Sequence, residues 1–392
     1  MMRLVKDASF SAIVAGFVTV LVGFTSSAVI VFQAAHALGA TPDEIGSWMC
    51  ALGLGMGITC ILLSLRYRVP VVTAWSTPGA AMLVAGTAGA SMAQAVGAFL
   101  VSAALIVAAG FTGWFERAIK TIPASIAAGM LAGVLLRFGL DVFVALKTQF
   151  ALVFSMFCIY LLLRRLLPRY AVVGALATGL AIAACQGLLH MQGLQLQTAS
   201  LVWRTPELSL PAVIGLALPL FVVTMASQNV PGVAVIRASG YDVPISPVIG
   251  WIGVVNLLLA PFGAYALNLA AITAAICMGR ESHEDPVRRY VAAVAAGVFY
   301  LLMGLFGATV GALFLAFPKE LVLAIAGMAL FGTIGNGLAA AVGDEKQREP
   351  ALITFLVTAS GTSLLGIGSA FWGLLAGALA MLVLQAWRRP AA

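Results

Sequence analysis

The sequence predicts an all-α polytopic membrane protein, and three observations support this fold class. Hydrophobic residues make up 62% of the 392 residues and charged residues only 9%, whereas soluble domains carry about 25% charged residues. Apolar runs of about 20 residues, long enough to cross a bilayer as a helix, recur from end to end. The charged residues cluster in the gaps between these runs, so the net charge of +7 indicates membrane topology rather than nucleic-acid binding.

Fourteen hydrophobic segments are predicted along the chain. They are residues 10–33, 45–65, 70–88, 92–114, 122–144, 148–165, 171–189, 211–230, 246–262, 265–279, 290–316, 319–340, 351–364 and 366–387. If the N-terminus is cytoplasmic, most Lys and Arg residues between segments fall on the cytoplasmic side, and only Lys147, Arg204 and Lys319 fall outside. The positive-inside rule therefore favours fourteen crossings, with both termini cytoplasmic, in a bacterial-type inner membrane.

The two halves of the chain resemble each other at an offset of about 200 residues. VGFTSSAVIVFQAAHALG from Val22 matches VTMASQNVPGVAVIRASG from Val223, and IGSW at 45–48 matches IGW at 249–251. IPASIAAGML at 122–131 is echoed by FPKELVLAIAGMAL at 317–330. Seven spans per half is an odd number, so the sequence predicts a 7+7 inverted repeat, the architecture of many secondary transporters.

Small polar clusters interrupt matching apolar runs in the two halves. They are Thr25, Ser26 and Ser27 in the first half, and Ser227, Gln228 and Asn229, followed by Pro231 and Gly232, in the second. Backbone groups freed inside a bilayer are tolerated only where protein or a polar cavity satisfies them. The clusters therefore predict interrupted helices around a substrate cavity. The alternative is that the polar side chains hydrogen bond between helices.

Three stretches, SQNVPGVAV at 227–235, WSTPGAAML at 75–83 and ALNLAAITAAI at 266–276, resemble the benzoate:proton symporter family. The resemblance covers essentially the whole chain, and that family is similar in turn to nucleobase and ascorbate transporters and to certain anion transporters. It implies that segments 3 and 10 are half-crossings, each a short extended stretch followed by a short helix. It also implies a core domain of residues 9–120 and 211–317, a gate domain of 121–190 and 318–388, and an inter-repeat loop of 191–210.

The half-crossings carry the predicted substrate site. Pro70 and the β-branched residues after it favour an extended stretch. Pro78 and Gly79 then open a helix with Ser76 or Thr77 as its N-cap, and Asn268 is the predicted cap of the second short helix. The two helix N-termini are expected to face each other near the midplane, where their N–H groups would favour an anion.

The amides of Gln228, Asn229 and Asn268 stand where nucleobase transporters resembling this fold carry glutamates. A carboxylate would repel a carboxylate substrate and a neutral amide would not, so the sequence favours an anion. No basic residue lies within either half-helix, so helix N–H groups and neutral donors are expected to bind the carboxylate. Trp75, Phe24 and Tyr265 flank the site and are candidates for stacking on an aromatic ring.

Other ionisable and sulfur-containing residues are interpreted as structural. Arg137 and Asp141 share one helix face, which favours an ion pair within the gate domain, with a role in gating or proton handling as the alternative. The cysteines, Cys50, Cys60, Cys158, Cys185 and Cys277, occur singly in apolar runs and are predicted to be buried apolar residues. His36, His190 and His283 are assigned to loops or interfaces, and no metal site is expected.

These patterns together predict a secondary active transporter that imports benzoate or a similar aromatic carboxylate with protons by alternating access. The proton gradient is its driving force and no cofactor is expected; a homodimer is left open. Transport of another small anion or a nucleobase, by symport or exchange, is the alternative. An integral membrane enzyme is disfavoured because the sequence lacks clustered His, Asp and Glu residues.

Overall fold

The computed structural model describes residues 7–86, 90–120, 123–189, 198–307, 317–362, 364 and 369–386. The N-terminal half contains helices α1 (Phe10–Ala37), α2 (Pro42–Tyr67), α3 (Thr77–Gly86), α4 (Met92–Thr112), α5 (Trp114–Lys120), α6 (Ala124–Ala145), α7 (Phe150–Leu166) and α8 (Ala171–Cys185). The C-terminal half contains α9 (Leu210–Ala238), α10 (Ile245–Leu259), α11 (Ile272–Met278), α12 (Tyr290–Leu305), α13 (Lys319–Gly343), α14 (Arg348–Ala359) and α15 (Ser369–Ala386). Each of the fourteen predicted segments contains one of these helices.

Two short strands stand in the two segments that were predicted to be extended and then helical. Strand β1 (Thr73–Trp75) precedes α3, and strand β2 (Leu267–Leu269) precedes α11. The strands pair antiparallel, with Ala74 opposite Asn268. Pairing continues beyond the strands, because Ser76 N–H donates to Ala266 O at 3.1 Å and Ala270 N–H donates to Val72 O at 2.9 Å. The prediction of an extended stretch plus a short helix in both segments is confirmed.

Helix α9 passes through the Ser227–Asn229 cluster without a break, so the predicted interruption is wrong. The helix instead widens into two π turns, at Val213–Ala217 and Met225–Asn229. Each π turn ends shortly before a proline, Pro219 or Pro231. A proline has no N–H to donate, and its ring crowds the carbonyl four residues earlier. A π turn accommodates this crowding while the helix continues, and such turns recur at functional sites.

Helix contacts in the described residues fall mainly into two groups. We call α1 to α5, α9 to α12 and the two strands the strand-bearing group, in which α2 packs along α12 and α4 along α10. We call α6 to α8 and α13 to α15 the flanking group, in which α6 packs on α13 and α14, and α7 on α8. The groups meet mainly where the second half of α9 contacts α6.

Glycine pairs let helices of the strand-bearing group approach each other backbone to backbone. A Cβ atom on Gly53 of α2 would lie 2.6 Å from the Cα atom of Gly304 in α12. Gly110 of α4 meets Gly250 of α10 in a similar way. Small residues at helix crossings are the usual packing device in membranes, where lipid gives no hydrophobic force to hold helices together.

The outer faces of the peripheral helices are apolar. Leu62, Phe150 and Leu382 are 60%, 62% and 66% exposed, as expected of side chains that face lipid. Seven helices in the described part are long and apolar enough to cross a membrane: Pro42–Tyr67, Met92–Thr112, Ala124–Ala145, Leu210–Ala238, Ile245–Phe262, Pro286–Leu305 and Lys319–Gly343. The chain is therefore a multi-pass membrane protein, while the count of fourteen crossings stays a prediction.

The cysteines are only partly where the sequence predicts them. Cys50, Cys60 and Cys277 are buried, whereas Cys158 and Cys185 are exposed. Burial of these last two is a wrong prediction, because α7 and α8 lie at the edge of the bundle, where apolar side chains face outward. All five cysteines are free thiols.

The substitution Gly53→Ala is predicted to destabilise the protein by about 1–3 kcal/mol, because the added methyl group would overlap the backbone of Gly304. Thermal unfolding in detergent measures the effect. Gly46→Ala, on the same helix with nothing within 4 Å of its Cβ position, is the control and should leave the unfolding temperature unchanged or raise it. Equal shifts for both variants would contradict the close α2–α12 contact.

Candidate functional site

Strand β1 is held against α2 by side-chain hydroxyl groups. Thr73 Oγ1 lies 2.6 Å from Thr59 Oγ1, and it donates to the carbonyl oxygen of Met56 at 3.2 Å. Thr59 in turn donates to the Gly55 carbonyl at 2.7 Å. These bonds fix the position at which the chain leaves β1 and starts α3.

Ser76 is the N-cap of α3, which confirms one of the two predicted caps. Its Oγ accepts the Gly79 N–H at 3.1 Å and the Thr224 hydroxyl at 3.2 Å. Its carbonyl oxygen accepts the Tyr265 hydroxyl at 2.9 Å. Gly79 packs tightly here, because a Cβ atom on it would lie 2.8 Å from Ser76 Oγ. Ser76 and Gly79 thus build the start of the helix.

Asn268 is not a helix cap, contrary to prediction. It occupies the centre of β2, opposite Ala74, and α11 begins four residues later at Ile272. The pairing register decides this, because Asn268 pairs with Ala74 within β2 and therefore lies in the strand instead of at the start of the helix. Its side-chain amide is fully buried and has no hydrogen-bond partner among the described residues.

Asn229 holds β2 in place. Its Oδ1 accepts the Leu269 N–H at 2.9 Å, its Nδ2 lies 3.1 Å from Met225 Sδ, and the residue is 1% exposed. The side chain therefore satisfies a backbone group of the strand and does not face open space. Gly232, one turn further along α9, packs directly on Leu269.

A cavity of about 460 Å³ lies at the starts of α3 and α11, between the two helix groups. This volume is within the usual range for small-molecule sites. Of the predicted site residues, the cavity is lined by Ser27, Thr77, Pro78, Gln228 and Arg137. Ser76, Gly79, Asn229, Asn268 and Asp141 are not among the lining residues. The side chains of Thr25 and Ser26 lie outside the described part of the structure.

Trp75 is the one predicted aromatic residue that lines this cavity. Its indole Nε1 donates to Ser27 Oγ at 2.9 Å, and Ser27 donates to the Gly23 carbonyl at 2.9 Å. Phe24 supports Trp75 from behind in an edge contact, with ring centroids 6.2 Å apart. Tyr265 is not among the lining residues, and its hydroxyl donates to the Ser76 carbonyl oxygen.

Several lining residues were missed by sequence reasoning: Thr273, Tyr300, Thr358 and Ser360. Ser227 lines the cavity as the sequence predicted. Thr273 lies in the stretch ALNLAAITAAI, which was singled out without that residue being named. The polar run around Thr358 follows a short apolar segment, and this pattern could have indicated that these residues line a cavity. Tyr300 had no distinguishing signal, because tyrosine is an ordinary residue in an apolar helix.

Arg137 extends to the cavity from α6 and has no hydrogen-bond or ion-pair partner among the described residues. Asp141, one turn further along α6, does not line the cavity and lies beyond ion-pair distance. The predicted Arg137–Asp141 ion pair is therefore wrong. The expectation that no basic side chain reaches the site is also wrong, because Arg137 comes from a helix outside the two half-crossings.

A second cavity of about 220 Å³ lies further along the boundary between the two groups. It is lined at the C-terminal ends of α9 and α11, including Ser239 and Glu281, whereas the first cavity lies at the N-terminal end of α11. Here the Arg164 guanidinium of α7 donates to the Glu281 carboxylate, whose side chain is 6% exposed. This ion pair joins the flanking group to the strand-bearing group.

The described residues contain no group of three or more His, Cys, Asp or Glu side chains placed to hold a metal ion. His36 is exposed at the end of α1, His283 is half-buried in a loop, and His190 lies outside the described residues. The arrangement that remains is a partly polar cavity within an apolar helical bundle, at the start of two short helices. A bundle and site of this kind define the class: a multi-pass membrane transporter.

Comparisons with known proteins identify the family. The model of the benzoate membrane transport protein family, BenE, matches residues 6–383. "Inner membrane protein YdcO" of Escherichia coli is 49% identical over 373 residues, covering 95% of each chain. "Benzoate membrane transport protein" of Acinetobacter baylyi is 42% identical over 379 residues, covering 97% of this chain and 96% of the relative. The chain belongs to the BenE family of membrane transport proteins.

A solved structure shares the fold. The structure described as "The overall structure of SLC26A9" aligns with a TM-score of 0.52 at 12% identity. The alignment covers 98% of this chain and 67% of that one. At this identity the likeness concerns the fold alone.

The substitution Asn229→Ala is predicted to lower stability by about 1–3 kcal/mol, because it leaves the buried Leu269 N–H without an acceptor. Gln228→Ala, at the neighbouring position that faces the cavity, is the matched control and should shift the unfolding temperature much less. Thermal unfolding in detergent without substrate compares the two. A larger shift for Gln228→Ala would contradict the assigned roles.

Proposed function

We propose that the protein imports benzoate or a similar aromatic carboxylate together with protons, by alternating access. The observation that carries the proposal is the cavity between the two helix groups, with the starts of α3 and α11 in its wall. The family membership and the printed name of the Acinetobacter relative support the substrate class. Proton coupling is supported by the sequence resemblance to benzoate:proton symporters.

The chemistry of the cavity wall suits an aromatic anion. Trp75 and Tyr300 offer ring surfaces, and the Gln228 amide has no hydrogen-bond partner among the described residues. The lining residues include no Asp or Glu, so nothing in the described wall would repel a carboxylate. An aromatic ring against Trp75 with its carboxylate toward the polar side chains satisfies both features.

A fourteen-span inverted repeat is part of the proposal, and the helix pairing supports it. At an offset of about 200 residues, α2 corresponds to α10 and α4 to α12. Replacing each helix of the pair α2–α12 by its counterpart gives α10–α4, which is also observed. In the same way α6 corresponds to α13 and α7 to α14, and both α6–α14 and α13–α7 are observed. The antiparallel pairing of β1 with β2 is the relation expected of two inverted halves that meet at a twofold axis.

The proposed domains follow the helix groups. The core domain, residues 9–120 and 211–317, contains the strand-bearing group, and the gate domain, 121–190 and 318–388, contains the flanking group. Residues 191–210 are the proposed inter-repeat loop, of which 191–197 lie outside the described residues and Leu210 begins α9. Because backbone contacts bind helices tightly within the strand-bearing group, we propose that this group moves as one body against the flanking group.

Alternating access requires each side of the site to close in turn. The Arg164–Glu281 ion pair bridges the two groups beyond the C-terminal end of α11, while the substrate cavity lies at its other end. We propose that this pair closes one side in the conformation observed. The name of the Escherichia coli relative supports an inner-membrane location, and the distribution of basic residues supports cytoplasmic termini.

Uptake in proteoliposomes tests the function. Labelled benzoate is expected to exchange against internal benzoate at symmetric pH 7.5, and an inward proton gradient is expected to raise the initial uptake rate. Protein-free liposomes are the control, because neutral benzoic acid crosses lipid unaided. Exchange no faster than in those liposomes would refute benzoate transport, and exchange without a response to the gradient would refute proton coupling alone.

The ion pair yields a separate prediction about access. Glu281→Gln is expected to raise severalfold the rate at which a cysteine substituted for Ser239 reacts with a hydrophilic thiol reagent, because the second cavity then opens more often. The exposed Cys158 and Cys185 are first replaced by serine. Glu284→Gln, in the same loop, is the control. An unchanged rate in Glu281→Gln would show that the pair does not close this side.

A further inference from the structure

We propose that Arg137 is the residue by which the cavity selects anions, and that it does so from the flanking group while the strand-bearing group holds the rest of the ligand. This inference rests on the proposed function for the identity of the ligand, a carboxylate. It assigns the charge recognition to one side chain, in place of the helix N–H groups that the sequence suggested.

The first argument is the isolation of the guanidinium. Arg137 lines the cavity and has no acceptor among the described residues. Arg137 lies in α6, a helix long and apolar enough to cross a membrane, and charged residues in such helices mark ligand or ion pathways. Because the described wall holds no Asp or Glu, the positive charge stays uncompensated until an anion enters.

The second argument is that the start of α3 has little left to offer an anion. Pro78 has no N–H group, and the Gly79 N–H is already bonded to Ser76 Oγ. The Ala80 N–H is likewise bonded to the Ser76 carbonyl oxygen. The N-cap and the first helical hydrogen bond therefore use the Gly79 and Ala80 donors, which would otherwise be open to a carboxylate.

The third argument is the position of Arg137 relative to the other lining residues. Thr77 and Gln228 belong to the strand-bearing group, whereas Arg137 belongs to the flanking group. The turn that precedes Arg137 packs closely on α14, because a Cβ atom added to Gly133 would lie only 2.8 Å from Thr358 Cβ. A ligand whose carboxylate binds Arg137 would thus link the flanking group to the strand-bearing group. A neutral ligand of the same shape would link them more weakly.

Guanidinium–carboxylate recognition can be bidentate and is among the stronger polar contacts in proteins. A hydrogen bond to a charged group contributes enough to change affinity by about 10- to 100-fold. We therefore expect Arg137 to govern the preference for benzoate over benzamide, the uncharged analogue of nearly the same shape.

Calorimetric binding to the purified protein measures this preference. Arg137→Gln should weaken benzoate binding by about 10- to 100-fold and change benzamide binding by less than about threefold. Arg137→Lys should keep much of the benzoate affinity, and Asp141→Asn, one turn away and outside the cavity wall, should keep all of it. Equal losses for both ligands in Arg137→Gln, or no loss for either, would overturn the inference.

A second readout is independent of the ligand's identity. A cysteine substituted for Ser360, in protein without the exposed Cys158 and Cys185, is modified with an anionic and a cationic methanethiosulfonate reagent. The anionic-to-cationic rate ratio should fall at least threefold in Arg137→Gln. If the wild-type protein binds no benzoate but Arg137→Gln still lowers the ratio, the proposed substrate is refuted and anion selection is upheld. A ratio unaffected by Arg137→Gln would overturn the inference whatever the cavity binds.

Discussion

The pairing of two three-residue strands is the interaction on which the site depends. Inside an apolar bundle, chain that is not helical must find partners for its backbone groups, because lipid supplies none. Thr73–Trp75 and Leu267–Leu269 supply them to each other. This pairing allows two helices to begin within the bundle, and their beginnings form part of the cavity wall. Four side chains complete the arrangement by hydrogen bonding to groups in and next to the strands that strand pairing leaves without a partner. They are Thr59, Ser76, Tyr265 and Asn229.

Much of the fold follows from patterns that act locally. Apolar run length located a helix in every predicted segment. Pro70 marked the start of the extended stretch and Pro78 its change to helix. The sequence failed where a distant contact decides the outcome. Asn268 has the character of a helix cap, but the register with Ala74 places it in a strand. Pro231 has the character of a helix breaker, yet a π turn absorbs it and α9 continues to Ala238.

The site itself was predictable only in part, for a similar reason. Gln228, Thr77 and Ser27 were found because polar residues in apolar runs are conspicuous. Their neighbour Asn229 has the same character, but its partner is the Leu269 backbone. Arg137 was assigned to an ion pair because of its spacing from Asp141. Helix spacing shows which residues share a face, but it does not show whether a long side chain extends to the neighbouring carboxylate or into a cavity. Of the two neighbouring amides, Gln228 thus faces the cavity and Asn229 supports the strand.

The strand pairing also has a consequence for how the protein is made. Ala74 and Asn268 pair although roughly 190 residues separate them in the sequence. At a synthesis rate of about 5–20 residues per second, the first strand emerges roughly 10–40 s before its partner exists. During that interval its backbone groups need water, the insertion machinery or a temporary neighbour. The N-terminal half is therefore incomplete as an inserted unit, and its extended segment reaches its final depth only after the C-terminal half has been synthesised as far as Leu269.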